Sequence, residues 1–260
     1  MKNNILIGLL TFIWLVLMAD IIWQGTDGKW TVGDAEKIGQ LEVAKYTDQI
    51  MVVAVSEDGA RLCLYEKETG TEHVRKTGVS QVREDIGRKE NAVSDAEGSK
   101  WVLVFETEAI IGKNGLGKTK EGDGKTPVGV FVFVEAFGIL ENPGTKMSYT
   151  KVDETHYWVD DSTSGYYNQL VSTDVIKKDW ISAEHVIDFG ESYHYVLATS
   201  YNMERIPGKG SAVFLHCTSQ ESEVTAGCIA VPEQYMKKIM KRVNSHCVLI
   251  IDTKDNILSY

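Results

Sequence analysis

Alternation of apolar and polar positions marks most of this chain as β structure. Gln49 to Val55 and Arg61 to Glu66 are β-type runs, and the intervening Ser56 to Ala60, SEDGA, carries an Asp-Gly pair that predicts a tight hairpin. Trp101 to Ile111, WVLVFETEAII, continues the pattern. From Val128 onward short strands alternate with loops: Val128 to Ala136, Tyr157 to Val159, Tyr193 to Ser200, Ala212 to His216, Cys228 to Val231 and Cys247 to Asp252. Two stretches carry a helical period instead. Pro232 to Val243 opens on a proline suited to a first turn and sets Met236, Ile239, Met240 and Val243 on one face, while Asp34 to Tyr46 has a weaker pattern through Ile38, Leu41, Val43 and Ala44. The expected fold is predominantly β, of the α+β class, with the Pro232 to Val243 helix buttressing the strands around it.

Two segments depart from this pattern. Ile5 to Trp23, ILIGLLTFIWLVLMADIIW, has the length and apolarity of an export signal or a membrane span, with Lys2 ahead of it. Leu17 stands two places before Ala19, where a cleavage site would need a small residue, so an uncleaved signal-anchor is favoured over a signal peptide. Residues 1–4 would then stay in the cytoplasm and the remainder would be exported, membrane-anchored, or secreted if the segment is cleaved. Residues 24–48 read as a tether with a short helix. Thr69 to Ser99 contains no Phe, Trp, Tyr or Leu and reads as an insertion that cannot bury enough surface to offset its ordering entropy.

Composition narrows the function. A formal net charge of −10 supplies no basic stripe for phosphate neutralisation, so no nucleic-acid partner is expected. Cys63, Cys217, Cys228 and Cys247 are too few and too scattered for a disulfide framework, and no CxxC pair suggests a zinc knuckle. Gly112 to Thr119, GKNGLGKT, matches the phosphate-loop pattern GxxxxGK[ST] letter for letter. That mechanism needs a helix to start at the Lys-Thr, and Lys120 to Pro127, KEGDGKTP, is unfit to begin one. A glycine-rich loop joining two strands is expected there, with no nucleotide and no cofactor.

The richest chemistry lies in Val213 to Pro232, VFLHCTSQESEVTAGCIAVP. A thiol is a nucleophile only as thiolate, so it needs a base or cation to lower its pKa from about 8.5. His216 is the base nearest in sequence to Cys228, and the loop Thr218 to Thr225 can fold back to bring their strand ends side by side. Gly227 permits a sharp turn that would aim the amides of Gly227 and Cys228 at a developing oxyanion. The Cys217 backbone carbonyl is the expected orienting partner of the His216 ring. This geometry would serve acyl transfer. Three other readings fit the same residues: core packing of His216 and Cys228, a zinc site drawn from His216, Cys217, Cys228, His246 and Cys247, or a Cys217 to Cys228 disulfide. Trp158 and Tyr167 are the aromatic candidates for lining a groove, against the commoner fate of packing a sheet face.

Taken together, His216, Thr225, Gly227 and Cys228 resemble the motif of the L,D-transpeptidases with a YkuD-type catalytic domain, a His followed by a loop and Ser/Thr-His-Gly-Cys. The chain is similar to a subgroup reading LHC, a loop, then TAGC and VP. Gly122 to Phe131, GDGKTPVGVF, resembles the family's TP-x-G-x-F stretch, and Trp158 to Asn168 and Tyr201 to Ser211 are further matches. The resemblance implies a catalytic domain over 49–260, interrupted by 69–99 and built of packed mixed β-sheets, with no metal. It implies peptidoglycan stem peptides as acyl donor and acceptor. Cys228 would attack the third residue, expel the terminal D-Ala and form a thioester that a neighbouring amine resolves to a 3→3 cross-link. His216 would be base and then acid, and Trp158, Tyr167, Tyr201, Asn202 and Thr225 would line the substrate groove. Hydrolysis of the same bond, an L,D-carboxypeptidase activity, and a non-catalytic wall-binding module are the alternatives. Two positions depart from the family pattern: Ala226 where a His is common, and Ala230 where Arg or Asn is common.

Overall fold

A computed structural model of the chain describes residues 34–68, 100–220 and 223–260. The expected cytoplasmic residues 1–4, membrane segment 5–23, first part of the tether and insertion 69–99 lie outside the described residues. Among the described residues no helix is long and apolar enough to cross a membrane.

The tether's helical pattern resolves into α1 (Ala35–Gly39), capped by the Asp34 side chain on the Glu36 amide, and a 3-10 turn at Glu42–Lys45. The SEDGA hairpin forms as expected between β1 (Gln49–Ser56) and β2 (Gly59–Lys67), which leads to β3 (Trp101–Ala109). β4 (Gly129–Gly138), β5 (Tyr149–Lys151), β6 (His156–Val159), β7 (Leu170–Ser172) and β8 (Ala183–His185) follow. A 3-10 segment at Val186–Tyr193 precedes β9 (Val196–Thr199), β10 (Phe214–Cys217) and β11 (Ile229–Val231). The chain ends with α2 (Glu233–Arg242), β12 (Val248–Thr253) and a 3-10 turn at Ile257–Ser259. Pro232 is the N-cap of α2 rather than its first turn.

The main sheet is mixed, in the order β11-β10-β9-β4-β12-β1-β2-β3, with β5 beside β4. Its edges meet: Ile110, just past β3, exchanges two 2.8 Å backbone hydrogen bonds with Ala230 of β11. Closure satisfies backbone groups that two open edges would leave unpaired. It also accounts for Ala230, which is buried in the junction.

Three apolar clusters follow from strand alternation. One face gathers Met51, Val53, Leu215, Cys217, Val231 and Leu249, closed by Met236, Ile239 and Met240 of α2. Each of those three helix side chains is fully buried, contributing about 1.5–3 kcal/mol. Ile50, Val52 and Ala54 point the other way, under α1. β1 is thus buried on both faces, which is why its sequence is a continuous apolar run. The third cluster joins Phe137, Val196 and Phe214 of the main sheet and Cys228, just before β11, to Trp158 of the small sheet β7-β6-β8. The site lies against this third cluster.

Candidate active site

β10 presents successive residues to opposite faces, so His216 and Cys217 diverge. Cys217 enters the α2 cluster, and Tyr193 packs edge-on against the His216 ring at 5.5 Å. β10 and β11 are parallel, with His216 opposite Ala230, and the loop between them returns Cys228 to the His216 side. His216 and Cys228 line one cavity of about 330 Å³, together with Lys118, Glu121, Asp160, Glu184, Tyr193 and the Thr225 to Gly227 turn.

His216 Nδ1 lies 2.8 Å from the Cys217 carbonyl oxygen. A carbonyl only accepts, so a neutral ring carries its proton at Nδ1 and its lone pair at Nε2. Burial lowers the His216 pKa to about 4, while hydrogen bonds to the Cys217 and Ser192 backbone pull it upward. The imidazole is therefore neutral at pH 7 and able to take a proton.

The Cys228 thiol donates to the Ala212 carbonyl oxygen at 3.0 Å and accepts from the Phe214 amide at 3.3 Å. Burial pushes its pKa up to about 12; Glu184 adds to the rise, and the Phe214 amide and Lys118 oppose it. The resting pair is neutral thiol with neutral imidazole. A proton transfer between them would therefore have to accompany a reaction with a substrate rather than precede it.

Thr225 organises the turn. Its hydroxyl donates to the Cys228 carbonyl oxygen at 2.7 Å and accepts from the Gly227 amide at 3.1 Å. The expectation of two free amides is corrected here: the Gly227 N–H is spent on Thr225, while the Cys228 N–H has no acceptor among the described residues. Gly227 has φ +143°, and a Cβ there would stand 2.7 Å from the Lys125 carbonyl oxygen, so glycine is required twice over.

The glycine-rich loop is clasped to this turn. Thr225 N–H donates to the Ile111 carbonyl, and Lys113 N–H donates to the Thr225 carbonyl. No helix starts at Lys118–Thr119; the chain instead wraps the Asp123 carboxylate, which accepts from the amides of Thr119, Lys120 and Lys125 and from Lys118 Nζ at 3.2 Å. Burial would raise the Asp123 pKa, but those donors outweigh it and hold it at about 2.

Of the five residues expected along the groove, only Thr225 lines the cavity. Trp158 packs at 4.7 Å from Phe214, its indole N–H bonded to the Asn168 side chain. Tyr167 donates to Glu121, behind the cavity wall. Tyr201 donates to the Lys209 carbonyl, and the Asn202 side chain bonds Ile206 and Gly210, pinning their own loop. Burial of aromatic mass with a satisfied polar tip explains all three rings. The four cysteines are free; Cys217 and Cys228 fall on opposite faces, which forbids the disulfide. The zinc set is not assembled either, because His246 and Cys247 precede β12, which is separated from β10 by β9 and β4. Lys118, Glu121, Asp160, Glu184 and Tyr193 had no spacing signal relative to Cys228, since pairings distant in sequence deliver them.

A family model described as the YkuD L,D-transpeptidase catalytic domain matches residues 91–251. No curated protein sequence matches the chain significantly. Solved structures similar to it include L,D-transpeptidase 3 from Mycobacterium tuberculosis in complex with a faropenem-derived adduct, 13% identical with a TM-score of 0.33, over 79% of this chain and 60% of that one. An L,D-transpeptidase from Mycobacterium smegmatis is 12% identical with a TM-score of 0.34, over 79% of this chain and 59% of that one. The chain thus spans about 60% of the length of these structures. With the match to the family model running over more than half of its length, the chain belongs to the L,D-transpeptidase catalytic domain family.

Proposed function

We propose that this chain is a cysteine acyltransferase acting on peptidoglycan stem peptides, an L,D-transpeptidase that forms 3→3 cross-links. The observation that carries the proposal is the shared cavity of Cys228 and His216, with the imidazole neutral and its tautomer fixed by the Cys217 carbonyl. Cys228 Sγ attacks the carbonyl carbon of the third stem residue as its proton passes to His216, and the carbonyl π pair moves onto oxygen. Collapse breaks the C–N bond to the terminal D-Ala, whose nitrogen takes the proton from His216. The amine of a second stem then displaces the thiolate from the thioester, which recovers a proton through His216.

The cavity wall supports a substrate bearing ammonium groups, as a diamino acid does. Asp160 Oδ1 is buried there with no hydrogen-bond partner among the described residues. Glu184 beside it is pushed up to about 7 by burial, against the hydrogen bond from Tyr193. An incoming ammonium would pair with the first and lower the second.

On this reading the domain works outside the cytoplasm, held to the membrane through residues 5–23, or is secreted if they are cleaved. Surface proteolysis of intact cells tests that half: digestion supports it, and protection until lysis contradicts it. The chemistry is tested by mass spectrometry of products from stem tetrapeptides. Cross-linked dimer with released D-Ala is expected, monomeric tripeptide would indicate the carboxypeptidase instead, and unchanged tetrapeptide that still binds would indicate a wall-binding module.

A further inference from the structure

We infer that Lys118 is a catalytic cation of this site, donating from its ammonium to the oxygen that turns negative when Cys228 attacks a carbonyl, alongside the Cys228 N–H. The inference rests on the reading of Cys228 as nucleophile. It gives the glycine-rich loop, whose phosphate-loop pattern starts no helix, a different use for the same lysine.

Four observations converge on it. First, the Lys118 side chain is only 3% exposed yet lines the cavity that holds Cys228. A lysine stem is buried to that extent only where its charge is paired or employed. Second, the ammonium has three donors, and two are used, on Asp123 Oδ1 at 3.2 Å and the Lys120 carbonyl oxygen at 3.3 Å. The third has no acceptor among the described residues. Third, two glycines from separate loops clear its path. A Cβ on Gly210 would stand 2.5 Å from Lys118 Cε, and one on Gly227 would stand 3.6 Å from Lys118 Nζ. The lysine head therefore occupies the space beside the residue that precedes the nucleophile. Fourth, the site otherwise lacks donors. The Gly227 amide is taken by Thr225, and Ala226, which occupies the position where the resembled family commonly has a histidine, is exposed and offers only a methyl.

Charge balance requires the same thing. Glu121, Asp160 and Glu184 share the cavity, and each carboxylate opposes a developing oxyanion. Lys118 is the lysine or arginine among the cavity's described lining residues, and Asp123 holds it in place from behind rather than from the cavity side. As Cys228 Sγ bonds to the carbonyl carbon, the π pair moves to oxygen and the third Lys118 N–H meets it. No proton leaves the lysine, and when the carbonyl re-forms the donor is free for the next step.

The test is acylation of the full chain by a carbapenem, resolved into initial binding and the first-order acylation constant. Lys118→Met keeps the stem and removes the charge. The acylation constant is expected to fall about 10²–10³-fold, the loss seen when one oxyanion donor is removed, with initial binding unchanged. Binding lost with an unchanged constant would make Lys118 an anchor for the ligand carboxylate and overturn the inference, as would wild-type acylation. Lys118→Arg keeps the ion pair with Asp123 and so supports the fold if the Met variant does not. Its broader head cannot pass between Gly210 and Gly227, so at least a 10-fold fall is expected, and a wild-type constant contradicts the placement. Cys228→Ala separates the two levels: if it still acylates, the nucleophile assignment fails, whereas if it is inert and Lys118→Met is normal, only the lysine inference fails.

Discussion

Cys217 and Cys228 flank the same pair of parallel strands, and burial raises both thiols to about 12, yet they lie in different environments. Cys217 faces the α2 cluster, with the Tyr195 carbonyl 3.8 Å away. Cys228 faces a cavity that also holds a neutral histidine, a buried lysine and three carboxyl groups. The resting acidity of a thiol therefore does not single out the nucleophile here. On the proposed function, what separates the two is access to a carbonyl, to a base and to charge that would become useful only as the reaction proceeds.

Substituting each cysteine in turn separates the two environments. Cys228→Ala is expected to lower stem-peptide turnover by at least ~10³-fold, as loss of a nucleophile does. Equal losses for Cys217→Ala in a folded protein would erase the distinction. His216→Gln, which removes the base but not the thiol, is expected to cost about 10²–10⁴-fold in the acylation constant. Alkylation of Cys228 by iodoacetamide at high pH should persist in that variant, and its loss would mean that the cavity itself had collapsed.

The pH profile carries the next effect. With His216 at about 4, the acylation rate at pH 5.5 should stay within about 2-fold of that at pH 7, whereas an unperturbed histidine would give a roughly 10-fold fall. The Glu184→Gln background is the cleaner one for this measurement, because Glu184 titrates near 7 in the same cavity. A histidine whose folded pKa is depressed contributes stability that is fully present above about 6.5 and is lost as pH falls through about 4. Thermal midpoints of wild type should thus drop across that window more than those of His216→Gln.

Smaller effects sharpen the picture of the turn. Gly227→Ala drives a Cβ to 2.7 Å from the Lys125 carbonyl at a φ that L-residues avoid, so about 1–3 kcal/mol of destabilisation is expected by calorimetry. Cys217→Ser is the smallest, costing about 1–2 kcal/mol from a poorly satisfied buried hydroxyl and less than about 2-fold in acylation.

Strands whose two faces both pack were legible from the sequence, because a continuous apolar run such as β1 is a local signal. The SEDGA hairpin and α2 were legible for the same reason. β5, β7 and β8 were not, since each is three residues that include polar ones, YTK, LVS and AEH, whereas the equally short β11, IAV, is wholly apolar. Within the site, His216, Cys217 and Cys228 sit in one contiguous stretch and could be read together. Glu184 lies on β8 of the small sheet, Asp160 just after β6, and Lys118 in the loop clasped through Thr225, so only contacts distant in sequence bring them together. The aromatic candidates lie outside the Cys228 cavity for a physical reason: Trp158, Tyr167 and Tyr201 have polar tips satisfied by neighbouring side chains and carbonyls.

On the proposed mechanism, Cys228 carries the acyl group. This is tested most directly by mixing the full chain with a stem tetrapeptide, quenching in acid, and mapping the adduct by peptide mass. The expected adduct is the tetrapeptide less its terminal D-Ala, attached as a thioester to Cys228 and absent from Cys217. Product formation with no adduct on Cys228, or an adduct on Cys217, would contradict it.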